Sequence, residues 1–174
     1  KVLRKQITVA KLKPTISLTA SSLKMKAGQS TTAFKAAGLA KGDYVTKVTS
    51  GNTGIVKVSS VTKKGTFRLT AGKKAGSTTV KVILASKKSA SFKVTVQRGA
   101  VKTSKITVST KSVTLKKGTT YRKLASSVKV TPVTSQEKVT YTSSNKKIAT
   151  VTSGGVIKGL KKGTATITIR SGSK

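Results

Sequence analysis

The chain has 174 residues, of which 37 are lysine or arginine and only two, Asp43 and Glu137, are acidic, so its formal net charge is +35. It contains no histidine and no cysteine, which excludes disulfides, thiolate metal sites and histidine-based acid–base catalysis. Two acidic residues also cannot build a rich calcium site, so we predict a protein that is not an enzyme and has neither a metal nor a cofactor.

Short segments of alternating apolar and polar residues recur along the chain, each closed by a glycine, serine or lysine cluster. In chain order they include residues 16–18, 80–82, 92–96, 106–108 and 167–169. This period of two is typical of antiparallel strands with one exposed face. The sequence therefore predicts an all-β sandwich or barrel, and only residues 32–40 tolerate a helix. No apolar run approaches the roughly 20 residues of a membrane span, so we expect no membrane insertion.

The chain also repeats itself. The segment 23–28 matches 113–118, the segment 48–52 matches 141–145, and Gly76 with 80–82 matches Gly163 with 167–169. The offsets are 90, 93 and 87 residues, and such differences are what loop insertions produce. We predict two homologous units joined near residues 97–105.

The second unit resembles a known family in three segments. Residues 106–118 are similar to its opening strands, 141–151 to its most recognisable segment, and 155–167 to its closing segment. The family is the bacterial Ig-like domain of group 2 (Big2), and Tyr141 stands where that family often has tryptophan. The first unit resembles a degenerate copy, with Val48 in place of the aromatic residue. The resemblance implies two tandem Ig-like (Big2-type) antiparallel β-sandwiches in a bacterial extracellular or cell-surface protein, used for adhesion or as stalk modules, with no catalytic residues.

The repeat has a shifted phase, meaning that the chain starts and stops at different points of the repeated unit. The first unit passes from a strand over 78–84 through a turn to a last strand over 91–97. The second unit reaches the counterpart of 78–84 in residues 164–170, enters its turn and stops. A closing-strand pattern instead opens the chain, in Lys5, Gln6, Ile7, Thr8 and Val9. The predicted organisation is a possible donor strand in 1–10, Ig-like domain 1 in 11–100, and Ig-like domain 2 in 101–174 without its last strand. Ile7 and Val9 point to the same side of a strand and could fill an open groove.

Two interpretations of this phase remain open. In one, residues 1–10 of each molecule complete domain 2 of the next, and such a head-to-tail contact produces a filament. In the other, the chain is an arbitrary excerpt of a longer repeat array, and residues 1–10 are a tail or pair locally.

A separate covalent alternative is a lysine–asparagine isopeptide bond involving Asn52 or Asn145.

The positive charge is mostly lysine, since only five of the 37 basic residues are arginine. Lysine is a hydrated point charge and suits diffuse attraction to a polyanion better than base-specific recognition. The predicted polyanion-binding residues are the six doublets in turns or at strand ends: Lys63, Lys64, Lys73, Lys74, Lys87, Lys88, Lys116, Lys117, Lys146, Lys147, Lys161 and Lys162. Such lysines also keep strand edges from aggregating.

We therefore predict a non-enzymatic extracellular structural or adhesive protein, polymerising by donation of residues 1–10 and binding anionic polymers such as teichoic acid or acidic glycans. The alternative is a nonspecific nucleic-acid-binding or condensing protein. Its aromatic content of 3% is too low for a base-stacking platform, so nucleic acid is expected to bind only nonspecifically.

Overall fold

A computed structural model describes residues 13–174 of the chain, and the predicted donor strand lies outside these residues. The chain divides into two compact units. The first contains Gly28–Val96 and the described residues up to Leu23, and the second contains Lys24–Ala27 and Gln97–Lys174. Almost all of their regular secondary structure is β-strand. No helix in the part of the chain that the structure describes is long and apolar enough to cross a membrane.

Alternating apolar residues form the strands of residues 17–97. The strands are β1 (Ser17–Leu18), β2 (Ser22–Lys26), β3 (Ser30–Thr31), β4 (Ala36–Ala37), β5 (Val45–Ser50), β6 (Val56–Ser59), β7 (Arg68–Ala71), β8 (Gly76–Leu84) and β9 (Ser89–Gln97). They form a four-stranded sheet of order β2-β9-β8-β5, a three-stranded sheet of order β3-β7-β6, and the pair β1-β4. The long hairpin β8–β9 places alternate side chains on one buried face.

Three phenylalanines form the centre of the first unit. Phe92 stacks on Phe34 with ring centroids 4.1 Å apart, and Phe67 lies 6.2 Å from Phe92. All three are 2% exposed or less. Because aromatic rings bury large areas and gain from stacking, this trio ties β9 to the opposite side of the core.

The second unit repeats most of these elements. They are β10 (Lys105–Val108), β11 (Thr120–Tyr121), the short helix α1 (Leu124–Ser127), β12 (Val128–Thr131), β13 (Val139–Ser143), β14 (Ala149–Val151), β15 (Ile157–Gly159) and β16 (Ile167–Ser171). They form the sheet β11-β15-β14 and the pairs β10-β12 and β13-β16. The helix lies here and not in residues 32–40, where β4 forms instead, because that segment pairs with β1.

The two units use the same strand registers. Val48 pairs with Val82 between β5 and β8, and Tyr141 pairs with Ile169 between β13 and β16. Val58 pairs with Leu69, and Val151 with Ile157, in the other sheet. These pairs preserve the sequence offsets, so β5 to β8 correspond to β13 to β16. The prediction of an all-β chain is confirmed.

Four glycines at equivalent positions of the two units have two roles. Gly28, Gly118 and Gly163 adopt φ of +77°, +83° and +145°, conformations that glycine favours. Gly76 and Gly163 make room for a neighbour, since a Cβ on either would lie 2.7 Å from the Cδ1 of Ile55 or Ile148. Equivalent isoleucines therefore pack over equivalent glycines in the two units.

Candidate functional site: an open strand groove in the second unit

In the four-stranded sheet, β9 is an inner strand with a partner on each side. It pairs antiparallel with β8 from Gly76 opposite Val96 to Ile83 opposite Ser89. On its other side, Lys93 N–H donates to Ser21 O (3.1 Å) and Ala27 N–H donates to Gln97 O (2.8 Å). The two bonds advance in the same direction along both strands, so β2 runs parallel to β9.

Residues 13–174 contain counterparts of both neighbours of this strand in the second unit, but no described residue forms a counterpart of β9. Within residues 13–174, β16, which corresponds to β8, pairs with β13 alone. Residues 110–116 contain the segment that corresponds to β2, and they form no strand. They leave an acceptor groove, which we define as the space between residues 111–115 and residues 165–169.

The acceptor groove exposes side chains whose counterparts are buried. Leu23 and Met25 are 3% and 0% exposed in β2, whereas the corresponding Val113 is 39% exposed and Leu115 is half-buried. In β8, Val80 and Val82 are fully buried, whereas Ile167 and Ile169 of β16 are only half-buried. The apolar surface that β9 covers in the first unit is thus open in the second.

The groove is deep as well as open. It encloses a cavity of about 1110 Å³. Its apolar lining reaches from both edges to the far side of the unit: Ile106, Val108, Val113, Leu115, Leu124, Ile148, Ile157, Ile167 and Ile169. Lys105, Lys111, Lys161 and Lys174 also line it. Such a cavity is apolar within and basic at its margins.

Backbone groups of β16 also face the groove. Ser144 N–H donates to Thr166 O (2.9 Å), so the polar backbone groups of Thr166 point toward β13. Because these groups alternate in direction along an antiparallel strand, those of Ala165, Ile167 and Ile169 point into the groove. The equivalent bond in the first unit runs from Gly51 N–H to Thr79 O (2.9 Å). In the first unit, alternate backbone groups of β8 therefore point toward β9, as those of β16 point into the groove.

The turn after β16 has the geometry of a hairpin turn. Lys174 N–H donates to Ser171 O at 3.1 Å, and Lys87 N–H donates to Leu84 O at 2.9 Å in the turn between β8 and β9. Ser171 and Leu84 are corresponding residues by register. A strand attached at this point would enter the acceptor groove antiparallel to β16.

Both acidic residues stabilise this end of their unit. Asp43 and Glu137 each lie two residues before the valine that pairs with Leu84 or Ser171. Asp43 accepts hydrogen bonds from the Ser86 hydroxyl (2.6 Å) and from the backbone N–H of Ser86 and Tyr44. The Ser86 hydroxyl is the main cause that lowers the pKa of Asp43.

Glu137 has other partners. Its Oε2 accepts from Thr103 N–H at 2.6 Å, and a side chain on Gly172 would collide with its carboxylate. Where the first unit has the core residue Leu84, the second has Ser171, whose hydroxyl is buried and bonds to Thr103 Oγ1 at 2.7 Å. Within residues 13–174, the hydrogen-bond partners of both carboxylates are thus hydroxyl and backbone groups.

The two asparagines occupy equivalent turns. Asn52 Oδ1 accepts from Gly54 N–H (2.9 Å), and Asn145 Oδ1 accepts from Lys147 N–H (3.0 Å). Such local bonds are the usual reason for asparagine in a turn. They give both side chains a structural role and do not support the isopeptide alternative.

The lysine doublets lie on the surface. All twelve of these lysines are exposed and lie in turns, in bends or next to them, where the sequence places them. Lys63 also covers the ring of Tyr44, with Nζ 5.1 Å from its centroid. Among residues 13–174, no group of three or more acidic, histidine or cysteine residues could hold a metal ion. Binding of anions by the doublets stays a prediction.

Comparison with known proteins places the second unit in a family. Residues 102–174 match the family model described as bacterial Ig-like domain (group 2), the family that the sequence resembles. No curated protein matches the chain significantly.

Solved structures that match the chain come from surface-layer proteins. A crystal structure of the S-layer protein rSbsC(31-844) is 19% identical, with a TM-score of 0.47, over 96% of this chain and 23% of that chain. A structure of domains 5-6 of the S-layer protein SbsC is 20% identical, with a TM-score of 0.45, over 94% of this chain and 92% of that chain. The chain thus spans less than a quarter of the first of these proteins.

Proposed function

We propose, from a second unit that belongs to the group 2 bacterial Ig-like domains, that the chain is a non-enzymatic structural protein of the bacterial cell surface. Its second unit is completed by a β-strand that enters the acceptor groove. The donor is residues 5–9 of a neighbouring copy, so the copies join head to tail. The observation that carries the proposal is the acceptor groove itself, open where the first unit holds β9.

The groove offers an added strand two kinds of stabilisation. The backbone groups of Ala165, Ile167 and Ile169 face it and give hydrogen bonds, as in other cases of strand addition. Its half-buried isoleucines gain apolar contacts from every inward side chain of the donor. About 25 cal/mol is gained per Å² of apolar surface removed from water.

The donor segment has the pattern that the groove requires. Ile7 and Val9 are separated by one polar residue, so both side chains face the same side of a strand. In β9 the inward residues Phe92, Val94 and Val96 alternate in the same way with outward polar residues. Because donor and acceptor are different surfaces, their contact between copies is heterologous and can continue into an open assembly.

The lysine coat gives the assembly a second property. With a net charge of +35, neighbouring copies repel each other until salt or a polyanion neutralises them. The exposed doublets therefore serve to hold anionic polymers of the cell surface, such as teichoic acid or acidic glycans, and these polymers in turn promote assembly.

Electron microscopy and light scattering of the purified chain test the proposal with two variants. Deletion of residues 1–10 removes the donor, and a copy of the 88–97 sequence fused after Lys174 fills the acceptor groove from within. We expect filaments from the unmodified chain and monomers from both variants. Filaments that survive the deletion would show that the donor is wrong, and filaments that survive the fusion would show that the groove is not the junction.

A second candidate function, nonspecific nucleic-acid binding, is favoured by the single sign of the charge. Binding to teichoic acid, heparin and DNA at two salt concentrations separates the two functions. Nonspecific binding to DNA weakens steeply with salt. Affinities that scale only with ligand charge would show that the lysines select no particular polymer. Stronger binding of teichoic acid at matched charge density is the result we expect.

A further inference from the structure

We propose that the donor segment enters the acceptor groove in one register, with Ile7 opposite Ile167 and Val9 opposite Ala165. This inference rests on the proposed function and specifies its junction residue by residue. The strand runs antiparallel to β16 and parallel to residues 111–115, the directions that β9 has relative to β8 and β2.

The geometry of the first unit limits the choice of register. Val80 lies opposite Phe92, and Thr78 lies opposite Val94. By the correspondence of β8 with β16, Ile167 takes the place of Val80 and Ala165 that of Thr78. Two registers put both Ile7 and Val9 at inward positions that are buried in β9, and they differ by a shift of two residues.

The register suggested by sequence likeness puts Ile7 in the place of Val94 and Lys5 in the place of Phe92. Phe92 is 2% exposed, so Lys5 would lie in the centre of the core. In the first unit Phe34 stacks on Phe92. The counterpart of Phe34 in the second unit is Leu124, which is 5% exposed and carries no charge. Burying an unpaired ammonium group there is strongly unfavourable.

The shifted register removes this conflict. It puts Ile7 in the place of Phe92 and Lys5 in the place of Ala90, which is only half-buried. At such a site a lysine extends its ammonium group to solvent while its methylenes stay in contact with the sheet. The donor then leaves the groove after Ala10, because Lys11 would otherwise occupy the place of buried Val96.

Cysteine pairs measure the register directly, because the chain has no cysteine of its own. In the first unit, Thr79 lies opposite Lys93 with both side chains outward, and at the adjacent outward pair the hydroxyls of Ser77 and Thr95 are 3.1 Å apart. The corresponding residue of β16 is Thr166. The proposed register places Thr8 opposite it, and the alternative register places Gln6 there.

The experiment mixes an affinity-tagged T166C chain with untagged T8C or Q6C chains under mild oxidation. Each chain has a single cysteine, so every disulfide-linked dimer is made by two copies. We expect T8C to cross-link to tagged T166C at least about tenfold faster than Q6C, since a disulfide requires Cβ atoms about 3.5–4.5 Å apart. An intramolecular T79C/K93C pair in the first unit controls for the reactivity of this ladder position.

The possible outcomes separate the two proposals. Faster cross-linking of Q6C, or equal rates for both, would overturn the register while leaving strand donation intact. Failure of both to cross-link under conditions where the T79C/K93C control does so would overturn strand donation itself, and with it the register.

Discussion

Truncating one inward side chain of the donor should weaken its binding far more than truncating its outward neighbour. We expect Ile7→Ala in a peptide of residues 1–12 to weaken binding to a chain that lacks residues 1–12. Thr8→Ala is the matched control, since it changes the adjacent residue on the opposite face of the same strand.

The size of the effect follows from the counterparts of these residues in the first unit. The inward residues Phe92 and Val94 are 2% and 0% exposed, whereas outward Lys93 is exposed. Loss of a buried isoleucine side chain costs about 2–5 kcal/mol, and every 1.4 kcal/mol changes affinity about tenfold. Taking the lower end for an open groove, Ile7→Ala should weaken binding about 30-fold or more. A surface change such as Thr8→Ala stays within about 0.5 kcal/mol, or roughly twofold to threefold.

Fluorescence anisotropy of the labelled peptides gives these affinities. The measurement belongs at physiological ionic strength, where charges more than about 8 Å apart are screened. If both alanine peptides bind as well as the original, the apolar groove does not receive this strand. If both lose affinity equally, the side-chain alternation assumed for the donor is wrong.

Three other predictions concern packing, charge and pH. Phe92→Ala should lower the free energy of unfolding of the first unit by about 3–5 kcal/mol in urea, because its ring is 2% exposed and stacks on Phe34. The control Lys93→Ala should cost less than about 0.5 kcal/mol. Equal losses would contradict the assigned core. Filament growth followed by light scattering should accelerate between about 0.01 M and 0.15 M salt, as the Debye length falls from about 30 Å to about 8 Å; slower growth would show that attraction between opposite charges drives assembly. The lowered pKa of Asp43 stabilises the fold at pH values above the ordinary carboxyl pKa, and this contribution is lost as pH falls through the folded-state pKa. The melting temperatures of Asp43→Asn and of the unmodified chain should therefore converge at acid pH. A difference that stays constant with pH would contradict this role.

Much of the architecture is encoded in local patterns. Alternating segments such as 80–82, 92–96 and 167–169 lie within observed strands, because a period of two fits one buried and one exposed face. The offsets between repeats predicted the correspondence of Val48 with Tyr141, which the strand registers bear out. The resemblance to group 2 bacterial Ig-like domains is confirmed for residues 102–174.

Local patterns were less informative where contacts between distant residues decide the structure. The roles of Gly76 and Gly163 follow from Ile55 and Ile148, which pack against them from more than ten residues away. The role of Asp43 likewise depends on a distant residue, since its carboxylate binds Ser86 across a separation of 43 residues. The helix over Leu124–Ser127 had no periodic signal because it is one turn long.

The strand pattern, the repeat, and the sign and placement of the charge can be derived from the residues alone, because each of these depends on residue type and spacing. The same residues predict no counterpart of β9 up to residue 174. The physical meaning of that pattern emerges only from the folded chain, which brings residues 111–115 and β16 to opposite sides of one apolar cavity. Whether a strand position is empty depends on two segments about 50 residues apart, and no local pattern records the space between them.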